Sequence, residues 1–305
     1  MKISNSADRF RPNALLVLLV AALALSAHAA RAQAVASDPF PAGKSVMEAD
    51  FGGTVLQLWA YKPASYIGEG FILLLHGASR AAESYRDNSV GMADDAGRLV
   101  VVPLFDQERF PEWRYQFGGV FRPDSSFAPP EERTYAFIPQ IVAYIRAREG
   151  NARMPYLLAG FSAGAQFVSR MTVFMDTDAE RVIAMAGGSV VFPTRDLKFG
   201  LGFGGLPEDL GSDERIRRYL ALPMTVYIGT ADTATAQLPQ GEAYAQGVHR
   251  YSRNIRWFNQ AMDLAYEKRW PFNWRLVIAD GPGHSPHDMF YHPQIQNALF
   301  GHRPK

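Results

Sequence analysis

The sequence contains no cysteine, and this absence removes several kinds of chemistry at once. Disulfides, thiolate nucleophiles and zinc or iron–sulfur sites with cysteine ligands are all excluded. An excess of either charge is also absent, since 31 Lys and Arg residues are balanced by 30 Asp and Glu residues. The charge balance therefore does not indicate a nucleic-acid partner.

No apolar run is long enough to cross a bilayer. The run from Ala14 to Ala27 falls short of the ~20 residues that a membrane-spanning helix needs. It follows a positively charged start and precedes the small-residue site Ala32-Gln33-Ala34, the pattern of a secretory signal peptide. We therefore predict a signal peptide over residues 1–34, a periplasmic or secreted mature protein, and no stable membrane association after cleavage. A membrane anchor and cleavage at Ala27-His28-Ala29 are the alternatives.

After this segment, the chain alternates between strand-like and helix-like runs. Residues 35–50, with two prolines between Ser37 and Lys44, are predicted as an N-terminal arm, and residues 51–305 as one domain. Short apolar runs predict strands that are buried on both faces, at Phe71–Leu75, Leu99–Val102, Tyr156–Ala159, Val182–Ala186, Met224–Ile228 and Trp274–Ile278. Their alternation with helical segments predicts an α/β fold with a mostly parallel central sheet and helices on both faces. The segment between Val191 and Asp209 is too short for a large cap domain.

One pentapeptide has the pattern of a nucleophilic serine. Gly160-Phe161-Ser162-Ala163-Gly164 matches G-x-S-x-G, follows a predicted buried strand and opens a helical segment. A serine on such a sharp turn is held in a strained conformation that projects its hydroxyl from the sheet, and the glycines let strand and helix approach each other. The N–H of Ala163 then lies at a helix N-terminus, where it can donate to an oxyanion. A serine that only caps the helix is the alternative.

A second oxyanion donor is predicted in the loop after Phe71–Leu75. This strand runs into His76-Gly77-Ala78-Ser79, and folds with the serine turn use this loop to supply a backbone N–H. Ala78 is the candidate donor and Ser79 the next choice. His76 is predicted to be buried and to hold the loop by hydrogen bonds, and not to act as a base.

An acid and a base follow two later strands. Met224–Ile228 leads into Asp232, and Trp274–Ile278 leads into Gly281-Pro282-Gly283-His284. A base must reach the serine hydroxyl and an acid must hold the imidazole tautomer, so both should lie at the carboxyl end of the sheet. Both residues follow predicted parallel strands and so meet this requirement, and the chain order Ser162, Asp232, His284 is the order found in folds with this serine turn. The competing acids are Asp106, Asp196, Asp280 and Asp288. The main alternative among them is Asp196, which follows the strand before Met224–Ile228.

Two other patterns point to different chemistry but lack its context. Metal-ligating side chains cluster between residues 284 and 292, yet Pro286 and Pro293 break the helix that would align them. Gly200 to Gly205 satisfies G-x-G-x-x-G but does not lie between a strand and a helix. We interpret it as a mobile loop near the cleft and not as a dinucleotide site. The sequence therefore predicts no metal and no cofactor.

Together the motifs resemble an exported bacterial α/β-hydrolase, similar to the esterases related to polyhydroxyalkanoate depolymerases and feruloyl esterases. The resemblance rests on His76-Gly77-Ala78, Gly160-Phe161-Ser162-Ala163-Gly164, Gly229-Thr230-Ala231-Asp232 and Gly281-Pro282-Gly283-His284. It covers essentially the whole mature chain and implies an α/β-hydrolase fold and a serine hydrolase that cleaves carboxylic esters without a cofactor. Depolymerases of this kind often carry a Cys after the His-Gly pair, where this chain has Ala78.

The expected substrate is a small-molecule or oligomeric ester. The segment from Trp113 to Phe127 is rich in aromatic side chains and begins at the end of the sheet where the serine should lie. A pocket wall formed by these rings would suit an acyl or aromatic group of the substrate. We expect Trp113, Tyr115 and Phe161 to contact the substrate, unless the rings only pack against the fold. A peptidase or acyltransferase on the same fold, and a binding protein without catalytic activity, are the alternative functions.

Overall fold

A single sheet forms the centre of the protein. The computed structural model describes residues 38–235, 238 and 241–301, so the predicted signal peptide lies outside the described residues. Within them the sheet has eight strands, namely β1 (Gly43–Asp50), β2 (Val55–Lys62), β3 (Phe71–Leu75), β4 (Leu99–Pro103), β5 (Tyr156–Phe161), β6 (Arg181–Met185), β7 (Met224–Gly229) and β8 (Trp274–Ala279). Their order across the sheet is β1-β2-β4-β3-β5-β6-β7-β8. β2 is antiparallel to β1 and to β4, and every later neighbouring pair is parallel.

Alternating apolar side chains bury both faces of the sheet. In β3, Leu73 and Leu75 belong to one hydrophobic cluster, whereas Ile72 and Leu74 belong to another. Successive side chains of a strand point to opposite faces, so a continuous apolar run contributes to two cores. This packing confirms the predicted parallel strands, and their observed bounds lie within two residues of the expected ones.

Helices cover both faces of the sheet. They are α1 (Ala82–Asn88), α2 (Val90–Ala96), α3 (Glu112–Tyr115), α4 (Phe137–Arg148), α5 (Ala163–Phe174), α6 (Asp213–Ala221), α7 (Arg250–Lys268), α8 (Pro286–Tyr291) and α9 (Gln294–Phe300). Buried apolar residues of α4, α5, α6 and α7 belong to the first cluster, and those of α1, α2, α8 and α9 belong to the second. α1 and α2 meet at Ser89, whose hydroxyl donates to the carbonyl oxygen of Arg86. Among the described residues, no helix has both the length and the apolar character that a bilayer crossing requires.

The first strand corrects the prediction of an arm over residues 35–50. Gly43–Asp50 pairs with β2 along its whole length, from Gly43 opposite Lys62 to Asp50 opposite Val55. β1 lies at the edge of the sheet, and its side chains mostly alternate between half-buried and exposed. Because an edge strand with an exposed face needs no continuous apolar run, the sequence of β1 gave no clear strand signal.

The parallel strands end at one edge of the sheet, and this edge is open. Residues 186–212, after β6, contain no helix, so no large cap covers it, as predicted. In open α/β sheets, ligands bind outside the carboxyl ends of the strands. The loops after β3, β5, β6, β7 and β8 are therefore the segments in which to look for a site.

Candidate active site

Ser162 lies on a sharp turn between β5 and α5. Its φ of 57° and ψ of −110° form a conformation that a non-glycine residue adopts only under constraint. A Cβ on Gly160 would lie 2.3 Å from the backbone of Gly164, and a Cβ on Gly164 would lie 2.2 Å from the carbonyl oxygen of Leu75. Glycine at both positions lets the turn form, and the turn projects the Ser162 hydroxyl from the edge of the sheet.

The hydroxyl of Ser162 faces the imidazole of His284. Ser162 Oγ lies 3.0 Å from His284 Nε2, and His284 Nδ1 lies 2.7 Å from Asp232 Oδ2. The side chain of Asp232 is fully buried, while that of His284 is 25% exposed. The carboxylate accepts the Nδ1–H of the imidazole, and this tautomer leaves Nε2 free to accept the serine proton. The structure thus brings the predicted serine, acid and histidine into one hydrogen-bonded chain.

The loop that carries Asp232 is tied to its neighbours. The N–H of Ala231 donates to the carbonyl oxygen of Pro282 at 3.1 Å, and a Cβ on Gly229 would lie 2.2 Å from that same oxygen. The carbonyl of Asp232 accepts a hydrogen bond from the N–H of Tyr251, near the start of α7. These contacts hold the carboxylate in place before any ligand binds, which reduces the reorganisation that a reaction needs.

The two predicted oxyanion donors, Ala78 and Ala163, line the same cleft as Ser162. Within residues 38–235, 238 and 241–301, neither backbone N–H donates to a protein acceptor. Ala163 is the first residue of α5, where unpaired donors and the helix dipole favour negative charge. The loop before Ala78 comes close to the serine, because a Cβ on Gly77 would lie 3.6 Å from Ser162 Cβ.

His76 is buried next to this loop and holds it by hydrogen bonds to the backbone, as the sequence predicted. Its imidazole is fully buried, the Nδ1 atom lies 2.9 Å from the carbonyl oxygen of Gly77, and the N–H of Phe105 donates to Nε2 at 3.1 Å. Burial lowers the pKa of His76 from 6.5 to about 4, since desolvation penalises the charged form. His76 is therefore a neutral, fixed hydrogen-bonding group at neutral pH.

A cleft of about 610 Å³ surrounds Ser162 and His284. Phe161, one of the predicted substrate contacts, lines this cleft, and its ring centroid lies 4.9 Å from that of His284. The ring is almost fully buried, so it offers little surface to a ligand. A larger groove of about 790 Å³ lies between α4 and α5, but none of its lining residues belongs to the serine, acid and histidine set.

Solved structures share this fold over most of the chain. Poly(aspartic acid) hydrolase-1 from Sphingomonas sp. KT-1 is 28% identical with a TM-score of 0.76, and the match covers 82% of this chain and 96% of that one. LpqC, a poly(3-hydroxybutyrate) depolymerase from Bordetella parapertussis, is 29% identical with a TM-score of 0.78, and the match covers 87% and 93% of the two chains. The chain has the α/β-hydrolase fold.

The other comparisons agree with this assignment. A ferulic acid esterase is 15% identical with a TM-score of 0.52 over 85% of this chain and 97% of its own, and at that identity the likeness concerns the fold alone. No family model matches the sequence, and no curated protein matches it. Because the two similar structures at 28% and 29% identity are a hydrolase and a depolymerase, the comparisons support a hydrolase and agree with the resemblance that the motifs suggested.

Two predicted substrate contacts lie away from the cleft of this α/β-hydrolase. Tyr115 is fully buried, and its hydroxyl donates to the carbonyl oxygen of His76 at 2.8 Å, so it supports the loop that carries Ala78. Trp113 lines a separate groove of about 560 Å³ together with Phe51 and Phe137. The aromatic segment turns back onto the fold because burying its rings against one another removes a large apolar area from water.

Several residues that line the cleft were not predicted from the sequence, and among them are Tyr85, Gln166, Gly188 and Arg250. Gln166 follows Ser162 by four residues in a helical segment, and this spacing puts both on one face. That signal was present in the sequence. Gly188 and Arg250 come from the loop after β6 and the start of α7, and no local pattern connects them to the serine.

The competing acids and histidines lie apart from the hydrogen-bonded chain. Asp196 is exposed and accepts a hydrogen bond from the hydroxyl of Thr194. His287 is exposed and lies beside Asp288 at 3.2 Å. Across the described part of the chain, no three metal-ligating side chains come together. The glycine-rich loop does not line the cleft, and the carbonyl of Gly200 instead accepts hydrogen bonds from a buried arginine of α5.

Proposed function

We propose that this α/β-hydrolase is a serine hydrolase that cleaves carboxylic esters through an acyl-enzyme intermediate. The observation that carries the proposal is the chain of two hydrogen bonds from Ser162 Oγ to His284 Nε2 at 3.0 Å and from His284 Nδ1 to Asp232 Oδ2 at 2.7 Å. In this assignment Ser162 is the nucleophile, His284 the general base and Asp232 the acid that orients the imidazole. The substrate is a small-molecule or oligomeric ester.

The first half of the reaction forms the acyl-enzyme. Ser162 Oγ attacks the carbonyl carbon of the ester while its proton passes to His284 Nε2. The carbonyl oxygen becomes an oxyanion that the N–H groups of Ala78 and Ala163 stabilise. His284 then gives the proton to the departing alcohol as its C–O bond breaks, and the buried carboxylate of Asp232 stabilises the imidazolium in between.

The second half regenerates the serine. His284 Nε2 takes a proton from water, and the resulting hydroxide oxygen attacks the acyl carbon bound to Ser162. The same backbone donors stabilise the second oxyanion, and the proton returns to Ser162 Oγ as the carboxylic acid leaves. Oxyanion donors of this type each contribute about 10²–10³-fold to kcat in serine hydrolases, so the backbone loops contribute to the rate as well as the three side chains.

Amide hydrolysis is a second candidate function. One of the two similar solved structures at 28–29% identity has the name poly(aspartic acid) hydrolase, and the other has the name poly(3-hydroxybutyrate) depolymerase. The serine mechanism accommodates either leaving group, because His284 can protonate an alcohol or an amine. A catalytically silent binding protein fits the geometry less well, because binding alone does not require a complete set of nucleophile, base and acid. An acyltransferase would use the same set, with an alcohol in place of the water of the second half-reaction.

A substrate panel separates these candidates. The purified protein is assayed with 4-nitrophenyl esters of increasing acyl length and with the matching 4-nitroanilides, and Ser162→Ala serves as the blank. We expect saturable ester hydrolysis in the wild type and none above background in Ser162→Ala. Hydrolysis of the anilides with higher kcat/KM than the esters would favour the amidase, and equal rates in both proteins would contradict a serine mechanism.

We also propose that the protein is exported. The charged start, the short apolar run and the small-residue site support cleavage after residue 34 and a mature protein in the periplasm or the medium. N-terminal sequencing of the active protein from these fractions should find a start near Val35. Active protein that begins at Met1 would contradict export by cleavage.

A further inference from the structure

One buried cation in the cleft has no role in the reaction described above. Arg250, the first residue of α7, lines the cleft with Ser162 and His284, and only 6% of the residue is exposed. Its single ion pair within the described residues is a 3.5 Å contact between a guanidinium nitrogen and Asp232 Oδ1. Its Nε is buried without a hydrogen-bond partner among the described residues. A buried arginine normally has its donors satisfied, so the free donor requires an explanation.

A second donor lies beside it. The side-chain oxygen of Gln166 accepts hydrogen bonds from Arg170 at 3.0 Å and from the hydroxyl of Ser189 at 3.0 Å. These two donors fix the orientation of the amide, since only the oxygen can accept them. The Nε2 group of Gln166 therefore lies on the other side of the amide, and Gln166 lines the cleft. In the described part of the chain, this NH₂ group donates to no protein acceptor.

Gly188 leaves a space between the two donors. A Cβ built on Gly188 would lie 3.3 Å from Gln166 Nε2, 3.6 Å from Leu238 Cδ2 and 3.8 Å from Arg250 Nε. The absent side chain thus leaves a position beside the Gln166 amide and the Arg250 guanidinium. The carbonyl of Gly188 accepts a hydrogen bond from the buried Arg253, which fixes the backbone at this point.

We propose that this position, bordered by Arg250, Gln166 and Gly188, binds a carboxylate group of the substrate. The inference rests on the proposed hydrolase function and names its substrate class as esters that carry a second, free carboxylate. A planar carboxylate matches the fork of a guanidinium and can accept the amide N–H at the same time. Bound there, it contacts the guanidinium of Arg250, whose Nε has no hydrogen-bond partner among the described residues, and lies in the same cleft as Ser162.

The negative charges near Arg250 do not prevent a carboxylate from binding at this position. Asp232 faces the guanidinium from one side, but its Oδ2 is already occupied by His284. Glu112 also lines the cleft, and because it is exposed, water and salt screen its charge. If Arg250 instead served only to hold Asp232, its loss would slow the hydrolysis of charged and neutral esters by the same factor.

Two matched esters test the proposal. 4-Nitrophenyl hydrogen adipate carries a free carboxylate on its acyl chain, and 4-nitrophenyl methyl adipate has the same acyl chain with that group masked. In wild-type protein we expect kcat/KM to be higher for the charged ester, by about 10- to 100-fold for a charge-assisted pair. Arg250→Gln and Gly188→Ala should each remove most of this preference. Added salt should reduce the preference in the wild type.

A control on the same helix separates the site from general electrostatics. Arg256 lies in α7, is exposed and does not line the cleft. Arg256→Gln removes the same formal charge and should leave the preference unchanged. Gly188→Ala is the sharper probe, because it keeps every charge and only fills the space between the donors.

A binding measurement keeps this test separate from the proposed reaction. Calorimetric titration of the Ser162→Ala protein with monomethyl adipate needs no turnover, and adding Gly188→Ala to it should weaken binding about 10-fold or more. If the wild type hydrolyses neither ester while this binding difference is found, the serine mechanism fails and the carboxylate site stands. If the wild type hydrolyses both esters with equal kcat/KM, or if the preference survives in Gly188→Ala and Arg250→Gln, the carboxylate site is refuted.

Discussion

His76 and His284 both follow a strand of the parallel sheet, yet their imidazoles have different surroundings. His76, after β3, is fully buried, both ring nitrogens have backbone partners, and burial lowers its pKa to about 4. His284, after β8, is 25% exposed and lies between the carboxylate of Asp232 and the hydroxyl of Ser162.

The difference shows what turns a histidine into a base. A base needs a nitrogen that can reach the proton to be removed and a partner that stabilises the charged ring. His284 has both. His76 has neither, because its nitrogens are occupied by main-chain groups and no carboxylate neighbours it among the hydrogen bonds of the described residues. The same residue type thus supports the loop in one place and can accept a proton in the other.

The largest expected effect comes from removing the reacting pair. His284→Ala and Ser162→Ala should each lower kcat by about 10⁶-fold, the cost of such changes in serine proteases. Because the two residues act as one unit, the double variant should lose little more than either single variant. Steady-state kinetics with a 4-nitrophenyl ester measures this. Additive losses would mean that the two side chains act independently, and the comparison of the histidines would lose its basis.

Removing the partner of His284 should have a smaller effect. Asp232→Asn should lower kcat by about 10⁴-fold while the fold is kept, since the carboxylate acts by fixing the imidazole tautomer and stabilising its charge. Asp196→Asn, at an exposed aspartate outside the cleft, is the matched control and should behave as wild type. If Asp196→Asn is inactive while Asp232→Asn keeps full activity, the acid lies in the loop after β6 and its assignment to Asp232 is wrong.

Changing His76 should affect stability more than chemistry. In the unfolded chain its pKa is near the ordinary 6.5, and in the folded protein it is about 4. The unfolded chain therefore takes up the proton first as the pH falls, and stability is lost between these two values. This one group should destabilise the wild type by about 2 kcal/mol between pH 7 and pH 5.

The variant His76→Gln removes that proton uptake. Urea unfolding at both pH values should show a smaller loss between pH 7 and pH 5 in the variant than in the wild type. His76→Gln should also be less stable at pH 7, because buried hydrogen bonds of the imidazole are lost. An identical pH dependence in the two proteins would show that His76 titrates normally and is not the fixed, neutral group described above.

The sequence was sufficient where local pattern and chain order carry the information. The G-x-S-x-G turn has a backbone requirement that can be read from its glycines, and the Ser162, Asp232, His284 order matches strands whose ends meet. The burial of His76 was also predicted correctly. β1 was missed because a half-exposed edge strand leaves a weak pattern, and its existence depends on pairing with β2.

The sequence was insufficient where distant segments converge. Trp113 and Tyr115 belong to a segment that begins at the end of the sheet where the cleft lies. The packing of this aromatic segment nevertheless directs both side chains away from the cleft. Gln166, Gly188 and Arg250 come from three segments, and their meeting depends on how the loop after β6 and the start of α7 pack together. No local periodicity contains that information, so only the folded structure relates the three residues.

The most direct test of the account is covalent labelling with a fluorophosphonate, which reacts only with an activated serine. Mass spectrometry of the digested wild-type protein should find a single adduct, on Ser162. His284→Ala should not be labelled at a comparable rate, while His76→Gln should be labelled at close to the wild-type rate as long as it is folded. Hydrolysis in the wild type without an adduct on Ser162, or an adduct that forms as fast in His284→Ala as in the wild type, would contradict the assignment of the nucleophile and its base.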